Sequence, residues 1–216
     1  MNKKIRIALD GPSGAGKSTI AKNVANTLGI DYIDTGAMYR AVAYKIIQSG
    51  LDVENKRDLV EMLENTDIDF SKGNIILDGI IINDKIRTSE ITKMASICSA
   101  YSEVREKLVS LQRKMGQSKS IIMDGRDIGN NVLKDAEYKF FMTASTKERA
   151  KRRWIELTEK GENITLEDVE EDIRQRDYKD TTRELNPLCK SDDAIEIDTT
   201  GLSIEDVTKA ILDKIK

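Results

Sequence analysis

Residues 5–29 read IRIALDGPSGAGKSTIAKNVANTLG, and the stretch divides at Asp10. Before Asp10 stands a short apolar run that suits a buried strand. After Ser18 comes an amphipathic helical pattern that reaches Leu28, with Gly29 placed as the residue that ends it. Between them Gly11, Pro12, Ser13, Gly14, Ala15, Gly16, Lys17 and Ser18, followed by Thr19, fit the spacing G-x-x-x-x-G-K-[ST]. The physical demand behind the spacing is phosphate binding. Gly14 and Gly16 allow backbone N–H groups to turn inward on β- and γ-phosphates, and the following helix N-terminus adds partial positive charge. Lys17 supplies a full charge, and Ser18 can ligate Mg²⁺. An ordinary Gly-rich strand-to-helix turn has no need of Lys and Ser at those two places.

Further along, IDYID, SIIMD, KFFMT and AIEID repeat the apolar-strand pattern, and helical patterns separate most of them. The alternation predicts an α/β fold of three layers, a central parallel sheet of about five strands with helices on both faces. Helices are predicted from Ala37 towards Ser49, from Thr88 towards Met115 and from Ser203 to the end. Between Ile68 and Ile86 the runs IILDG and IIIND flank Asp78-Gly79, which predicts a small β-meander inserted apart from the main sheet. From Ser145 to Arg183 the chain is highly charged and helical with a break at Gly161. It has little apolar surface to bury, as suits a mobile lid.

Composition removes several function classes. The 216 residues include no histidine, which excludes His-dependent triads and imidazole general bases and leaves Lys, Arg, Asp, Ser and backbone amides to carry the chemistry. A net charge of −3 gives no basic surplus for nucleic acid, so the expected partners are small molecules. The apolar run that Asp10 ends is too brief for a signal-peptide core or a membrane span, and a cytoplasmic monomer is expected. Cys98 and Cys189 match no metal spacing and are expected as two buried thiols in a reducing compartment.

A phosphate-binding loop also occurs in GTP-dependent switches, and two short matches raise that alternative: Asn55-Lys56-Arg57-Asp58 spells NKxD, and Asp198 to Gly201 spells DxxG. Their order is the reverse of that in GTPases, and the NKxD opens a charged helix instead of following a core strand. Both are read as coincidences.

The second strand ends in Asp34-Thr35-Gly36 and leads to Tyr39 and Arg40, and SIIMD runs into Gly125-Arg126-Asp127-Ile128-Gly129. Both lie at carboxyl ends of strands, where open α/β sheets place ligands, so Arg40, Arg126 and Asp127 should face the cleft of the phosphate-binding loop. Together GPSGAGKST, DTGAMYR, IRT, VREKL, GRDIG and RQRDYKDTTR resemble the bacterial cytidylate kinases, a family of P-loop nucleoside monophosphate kinases, in the same order along almost the whole chain. Thr35 stands where that family more often has Ser.

The resemblance implies ATP-dependent phosphorylation of CMP and dCMP with Mg²⁺. It implies that Arg40, Arg126 and Arg183 hold the CMP phosphate with help from Thr35, and that Lys17 and these arginines carry the catalysis. Ser96, Arg105 and Asp127 are implied at cytosine, Arg176 and Asp180 near the sugar. The chemistry agrees for the base, since a carboxylate and an Arg match cytosine's amino donor and its N3 and O2 acceptors, while uracil reverses the amino and N3 roles. The implied division of this single domain is a core over about 1–38, 116–148 and 184–216, an acceptor-binding insertion over about 39–115, and a lid over about 149–183.

Arg149, Arg152 and Arg153 share one helical face and are expected to meet ATP phosphates when the lid closes. Asp124 is read either as an acid that orients Mg²⁺ through water or as a strand-end cap. Tyr39 and Tyr44 are read as core packing. Within the enzyme class, a kinase for AMP, UMP or shikimate is the alternative to CMP.

Overall fold

In the computed structural model, which describes residues 4–71 and 73–215, the chain opens with β1 (Arg6–Asp10), α1 (Lys17–Leu28), β2 (Asp31–Asp34) and α2 (Thr35–Ser49). Next come α3 (Lys56–Glu64), β3 (Ile68–Ser71), β4 (Asn74–Leu77), β5 (Ile80–Ile81), α4 (Ser89–Cys98) and α5 (Ser102–Ser118). The chain then forms β6 (Ile121–Gly125), a single π-helical segment (Ile128–Val132), β7 (Tyr138–Thr143), α6 (Thr146–Glu159), α7 (Leu166–Thr182), β8 (Ile195–Asp198) and α8 (Ile204–Leu212). No described helix is long and apolar enough to cross a membrane.

The main sheet has five strands in the order β2-β6-β1-β7-β8, as the apolar runs predict, and the pairs β6-β1, β1-β7 and β7-β8 are parallel. Parallel strands covered on both faces need apolar side chains on both. Ile7, Ala8 and Leu9 of β1 and Ile121, Ile122 and Met123 of β6 are fully buried. One core gathers Ile7, Leu9, Ile122, Phe140 and Met142 of the strands with Ile20, Val24, Val207 and Ile211 of α1 and α8. In the β1-β6 register Asp10 lies opposite Gly125, so the loops that begin at Gly11 and Arg126 leave neighbouring strand ends.

The chain divides into two compact units. One is Tyr32 and the residues before it together with Lys119 and those after it; the other is Ile33–Ser118. Within the second unit α2 packs on α4 and α5, and β3-β4-β5 form the antiparallel meander. Its β4-β5 turn is made by Asp78 and Gly79, with φ of 50° and 79°, the doubly positive pair of a tight hairpin.

Three expectations need correction. The helix predicted from Thr88 towards Met115 is two helices, α4 and α5, broken at residues 99–101. The turn between them is closed by Ala100 N donating to Ile97 O at 3.1 Å and Tyr101 N donating to Cys98 O at 3.2 Å, bonds one residue shorter than the α-helical repeat, which end α4. The charged stretch from Ser145 to Arg183 holds a small core of its own, because Ala150, Trp154 and Leu157 recur on one face of α6 and meet Val169 and Ile173 of α7. Cys98 is buried as expected, but Cys189 is exposed in the irregular segment before β8, where Leu188 takes the inward position. The last residue of the helix expected to run to the chain's end lies outside the described residues. The two switch-like tetrads are local structure: Asn55 caps α3 at Asp58 N, and Asp198 accepts from Thr200 N at 2.9 Å in the turn before Gly201.

Candidate active site

Where β1 ends, the chain must turn tightly against β7. A Cβ at Gly11 would run into the carbonyl oxygen of Met142, so only glycine passes there. At the other end of the loop Gly16, with φ of 86°, occupies the N-cap of α1 in the left-handed region, and no side chain caps that helix among the described residues. Its opening N–H groups are therefore of the kind an anion satisfies. Lys17, 6 % exposed, folds back so that its Nζ donates to Pro12 O at 2.7 Å. Burial first, and then the charge of Arg126, push the Lys17 pKa well below the ordinary lysine range against the opposing pull of Asp124 and Asp10.

Ser18 Oγ donates to Asp124 Oδ2 at 2.8 Å, and Tyr32 OH donates to Asp124 Oδ1 at 3.0 Å. Asp124 is thus tied to the phosphate-binding loop, an arrangement that a plain strand-end cap does not require. The hydroxyl and carboxylate are hard oxygen donors that fit Mg²⁺. Among the described residues there is no group of three or more acidic, His or Cys side chains that could hold a metal ion.

At the loop after β6, four of the expected acceptor residues, Arg126, Asp127, Asp180 and Arg183, form one charge network. Arg126 Nε donates to Asp180 Oδ2 at 2.8 Å, and Arg183 Nη2 donates to Asp127 Oδ1 at 3.3 Å. Arg183 Nη1 stands 3.8 Å from Asp180 Oδ1. Burial works against the ionised Asp180, but Arg126, Arg176 and Arg183 outweigh it and hold the carboxyl below its usual range. Burial likewise opposes the charge of Arg126, and Asp180, followed by Asp124 and Asp177, more than restores it. Beneath this network Asp10 accepts from Ile128 N at 2.9 Å and from Gly129 N at 2.8 Å, one with each carboxylate oxygen.

The α6 arginines sit differently from one another. Arg149, only 4 % exposed, donates to Ala144 O at 2.9 Å, Ser13 O at 2.9 Å and Thr146 Oγ1 at 3.0 Å, and pairs with Asp177 at 2.7 Å. Its guanidinium is used to brace the phosphate-binding loop. Arg152 reaches Thr199 Oγ1 and O at 3.1 and 2.7 Å, and Arg153 pairs with Glu156 at 2.8 Å.

In the Ile33–Ser118 unit, Asp34 caps α2 by accepting from Ala37 N at 2.8 Å with Oδ1, while its Oδ2 accepts from Arg40 Nη2 at 2.9 Å. Thr35 is buried at the start of the same helix, and the Nε of Arg40 is buried without a hydrogen bond among the described residues. Arg105 of α5 lies over the ring of Tyr39, 5.8 Å from its centroid, so Tyr39 serves as a platform for a cation where core packing was expected. Ser96 lies half-buried on α4 and accepts from Ser99 Oγ with its carbonyl. Sequence reading missed the contacts of Asp10, Tyr32 and Asp177; Asp10 is a polar residue at the end of the strand that the motif requires, which is the signal that was available, while Tyr32 inside β2 and Asp177 inside α7 left none.

Comparison with known proteins bears on all of this. The family model described as cytidylate kinase matches residues 7–216. The cytidylate kinase of Clostridioides difficile (strain 630) is 54% identical over 209 residues, 97% of each chain, and that of Alkaliphilus oremlandii (strain OhILAs) is 50% identical over 212 residues, 98% of each. Among solved structures, an uncharacterized protein from Eubacterium ventriosum aligns over 99% of this chain and 98% of its own with TM-score 0.56 at 14% identity. A shikimate kinase from Acinetobacter baumannii in complex with shikimate aligns over 99% and 97% with TM-score 0.50 at 15% identity. These two speak for the fold alone. With a family match over nearly its whole length and relatives at half identity or better, the chain belongs to the cytidylate kinase family.

Proposed function

We propose that the protein transfers the γ-phosphoryl group of ATP to CMP and to dCMP, releasing ADP and the corresponding diphosphate. The observation that carries this reading is the pairing of the phosphate-binding loop after β1 with the arginine-bearing loop after β6, on neighbouring strand ends of a chain that belongs to the cytidylate kinase family. Gly11 to Thr19 take the ATP phosphates, with Lys17 as their charge partner. Arg126, Arg183 and Arg40 hold the acceptor phosphate with Thr35. Ser96, Arg105 and Asp127 read cytosine, and Arg176 and Asp180 serve the ribose. Arg152 and Arg153 belong to a lid over about 149–183, and the acceptor-binding insertion spans about 39–115.

In this reaction an oxygen of the CMP phosphate attacks the γ-phosphorus, a new P–O bond forms, and the bond to the β-phosphate oxygen breaks with ADP as leaving group. The nucleophile is already anionic, so no general base is needed. What the protein supplies is alignment of two polyanions and screening of their charge. Ser18 would hold Mg²⁺, with Asp124 as the acid that would orient it through water, and the ion would supply charge neutralisation on the phosphates.

An ADP-release assay with ATP and a panel of CMP, dCMP, UMP, AMP and shikimate tests the reading. CMP and dCMP are expected to turn over fastest and UMP more slowly, since uracil lacks the amino donor. A preference for AMP or shikimate, or acceptor-independent hydrolysis with GTP favoured over ATP, would overturn it.

A further inference from the structure

We propose that Asp10 is a positioning residue for phosphoryl transfer, one that fixes the acceptor-phosphate loop to the root of the phosphate-binding loop. Its place in the chain gives it that reach. Gly11, the first residue of the phosphate-binding loop, follows Asp10 directly, and Arg126 and Asp127 immediately precede Ile128 and Gly129, whose N–H groups the Asp10 carboxylate accepts at 2.9 and 2.8 Å. Both oxygens are used, so the contact restrains rotation of the loop as well as its distance. The Arg126 guanidinium is then aimed by Asp180 and the Arg126 backbone by Asp10. Asp10 touches neither substrate on this view and acts through the two loops it joins.

The surroundings argue that alignment, and not stability, is the reason for a carboxylate here. Asp10 is 5 % exposed, and burial lifts its pKa to about 6 despite the two N–H donors. Asp127 raises it further and Lys17 opposes the rise. The Lys139 side chain also borders the site, its Cδ standing 3.2 Å from where a Cβ at Gly129 would lie, but its ammonium is paired with Asp193 at 2.7 Å. A group whose ionised form is disfavoured by its site costs the fold stability near neutrality. Its retention is accounted for by the geometry it imposes on Arg126 and Asp127.

The inference rests on Arg126 serving the acceptor, and the experiment separates the two. Asp10→Asn is made in the full chain, its melting temperature is recorded, and kcat and both KM values are measured with ATP and CMP at pH 7.5. Asn keeps the size but can accept only one of the two N–H groups. Expected are a folded protein, KM values within about threefold of the parent and a kcat lower by about 10- to 100-fold, the signature of misaligned reactants. Asp10→Glu, which keeps the charge but displaces the clamp by a methylene, is expected to lose kcat in the same way and carries the test if the Asn variant does not fold. A parental kcat in either folded variant, or a loss confined to KM, overturns the proposal. Failure of both variants to fold also overturns it, since Asp10 would then support the fold rather than align the site. Arg126→Ala is assayed in parallel: an unchanged KM for CMP there would overturn the acceptor assignment of Arg126, whatever Asp10 does.

Discussion

Within the unit that carries the phosphate-binding loop, cations are held in two opposite ways. Lys17 is buried on a single carbonyl oxygen, that of Pro12, and its charge is disfavoured by burial and by Arg126. Arg126 and Arg183 instead rest on carboxylates, Asp180 and Asp127, at 2.8 and 3.3 Å. The difference teaches how each responds to an incoming phosphate. For Lys17 a phosphate supplies a counter-charge that the folded chain itself gives only weakly, so the energy of the new contact is large and falls on the transferring group. For the arginines a phosphate replaces one anion by another, and only the difference between the two is gained. On the assignment proposed above, the donor side would be prepared by desolvation and the acceptor side by exchange of partners.

The comparison predicts the largest effect at Lys17. In Lys17→Ala the loop backbone is kept, since the lysine contributes one hydrogen bond to it, while the charge on the transferring group is lost. Turnover of ATP with saturating CMP should fall by about 100- to 1000-fold, with circular dichroism and melting little changed. A loss below about tenfold would mean that Lys17 is no more decisive than the arginines, and the contrast would break.

A smaller effect is expected at Asp127, whose carboxylate accepts from Arg183 and, through Oδ2, from Asn131 at 3.2 Å. If it exchanges these partners to receive the cytosine amino group, Asp127→Ala should lower kcat/KM for CMP by about 10- to 100-fold, equivalent to roughly 1 to 3 kcal/mol. Affinity for a non-hydrolysable ATP analogue should stay near the parental value. Measuring CMP and UMP side by side sharpens the point. A greater loss for CMP is expected, and equal losses would confine Asp127 to holding Arg183.

These two regions also differ in how far the sequence disclosed them. The phosphate-binding loop is one contiguous segment whose chemistry depends on backbone conformation, so Gly11, Gly16, Lys17 and Ser18 were legible from spacing alone. The strands were legible too: β1, β6 and β7 lie inside the sheet and leave nearly unbroken apolar runs, while the edge strands β2 and β8 leave shorter runs that alternate with acidic residues. Arg40 and Arg126 were placed at the cleft by their position after strand ends, but Arg183 and the roles of all three came only through resemblance to a family, for the grouping of Arg126 with Arg183 depends on α7 returning Asp180 and Arg183 to the loop after β6. Such pairings separate residues by more than fifty positions and leave no local pattern. Arg149 shows the limit well. From composition it matched its helix neighbours Arg152 and Arg153, yet its burial against Ser13 and Asp177 makes it a brace. The core between α6 and α7 was hidden for the same reason, since seven apolar residues within a highly charged stretch become a core only when the two helices face each other.

The smallest expected effect concerns Asp10, which belongs to neither pattern: it is an anion held by backbone N–H groups between the two. Burial raises its pKa from the ordinary 3.8 to about 6, with the N–H groups of Gly129 and Ile128 opposing the shift. The folded state therefore binds this proton more tightly than the unfolded chain does. The stability that follows is fully present below about pH 4 and is lost as pH rises through about 6. Between pH 7.5 and pH 5 the parent should gain about 1 kcal/mol relative to Asp10→Asn, which cannot titrate there. Urea unfolding of both proteins at the two pH values measures this, because titrations common to both cancel in the difference, apart from that of Lys17, which responds to the Asp10 charge. A difference that does not change with pH would show that the two N–H donors outweigh burial and keep Asp10 ionised. In that case Asp10 would stabilise the fold at neutral pH as an ordinary capped carboxylate, and the argument that only alignment accounts for its charge would lose its energetic support.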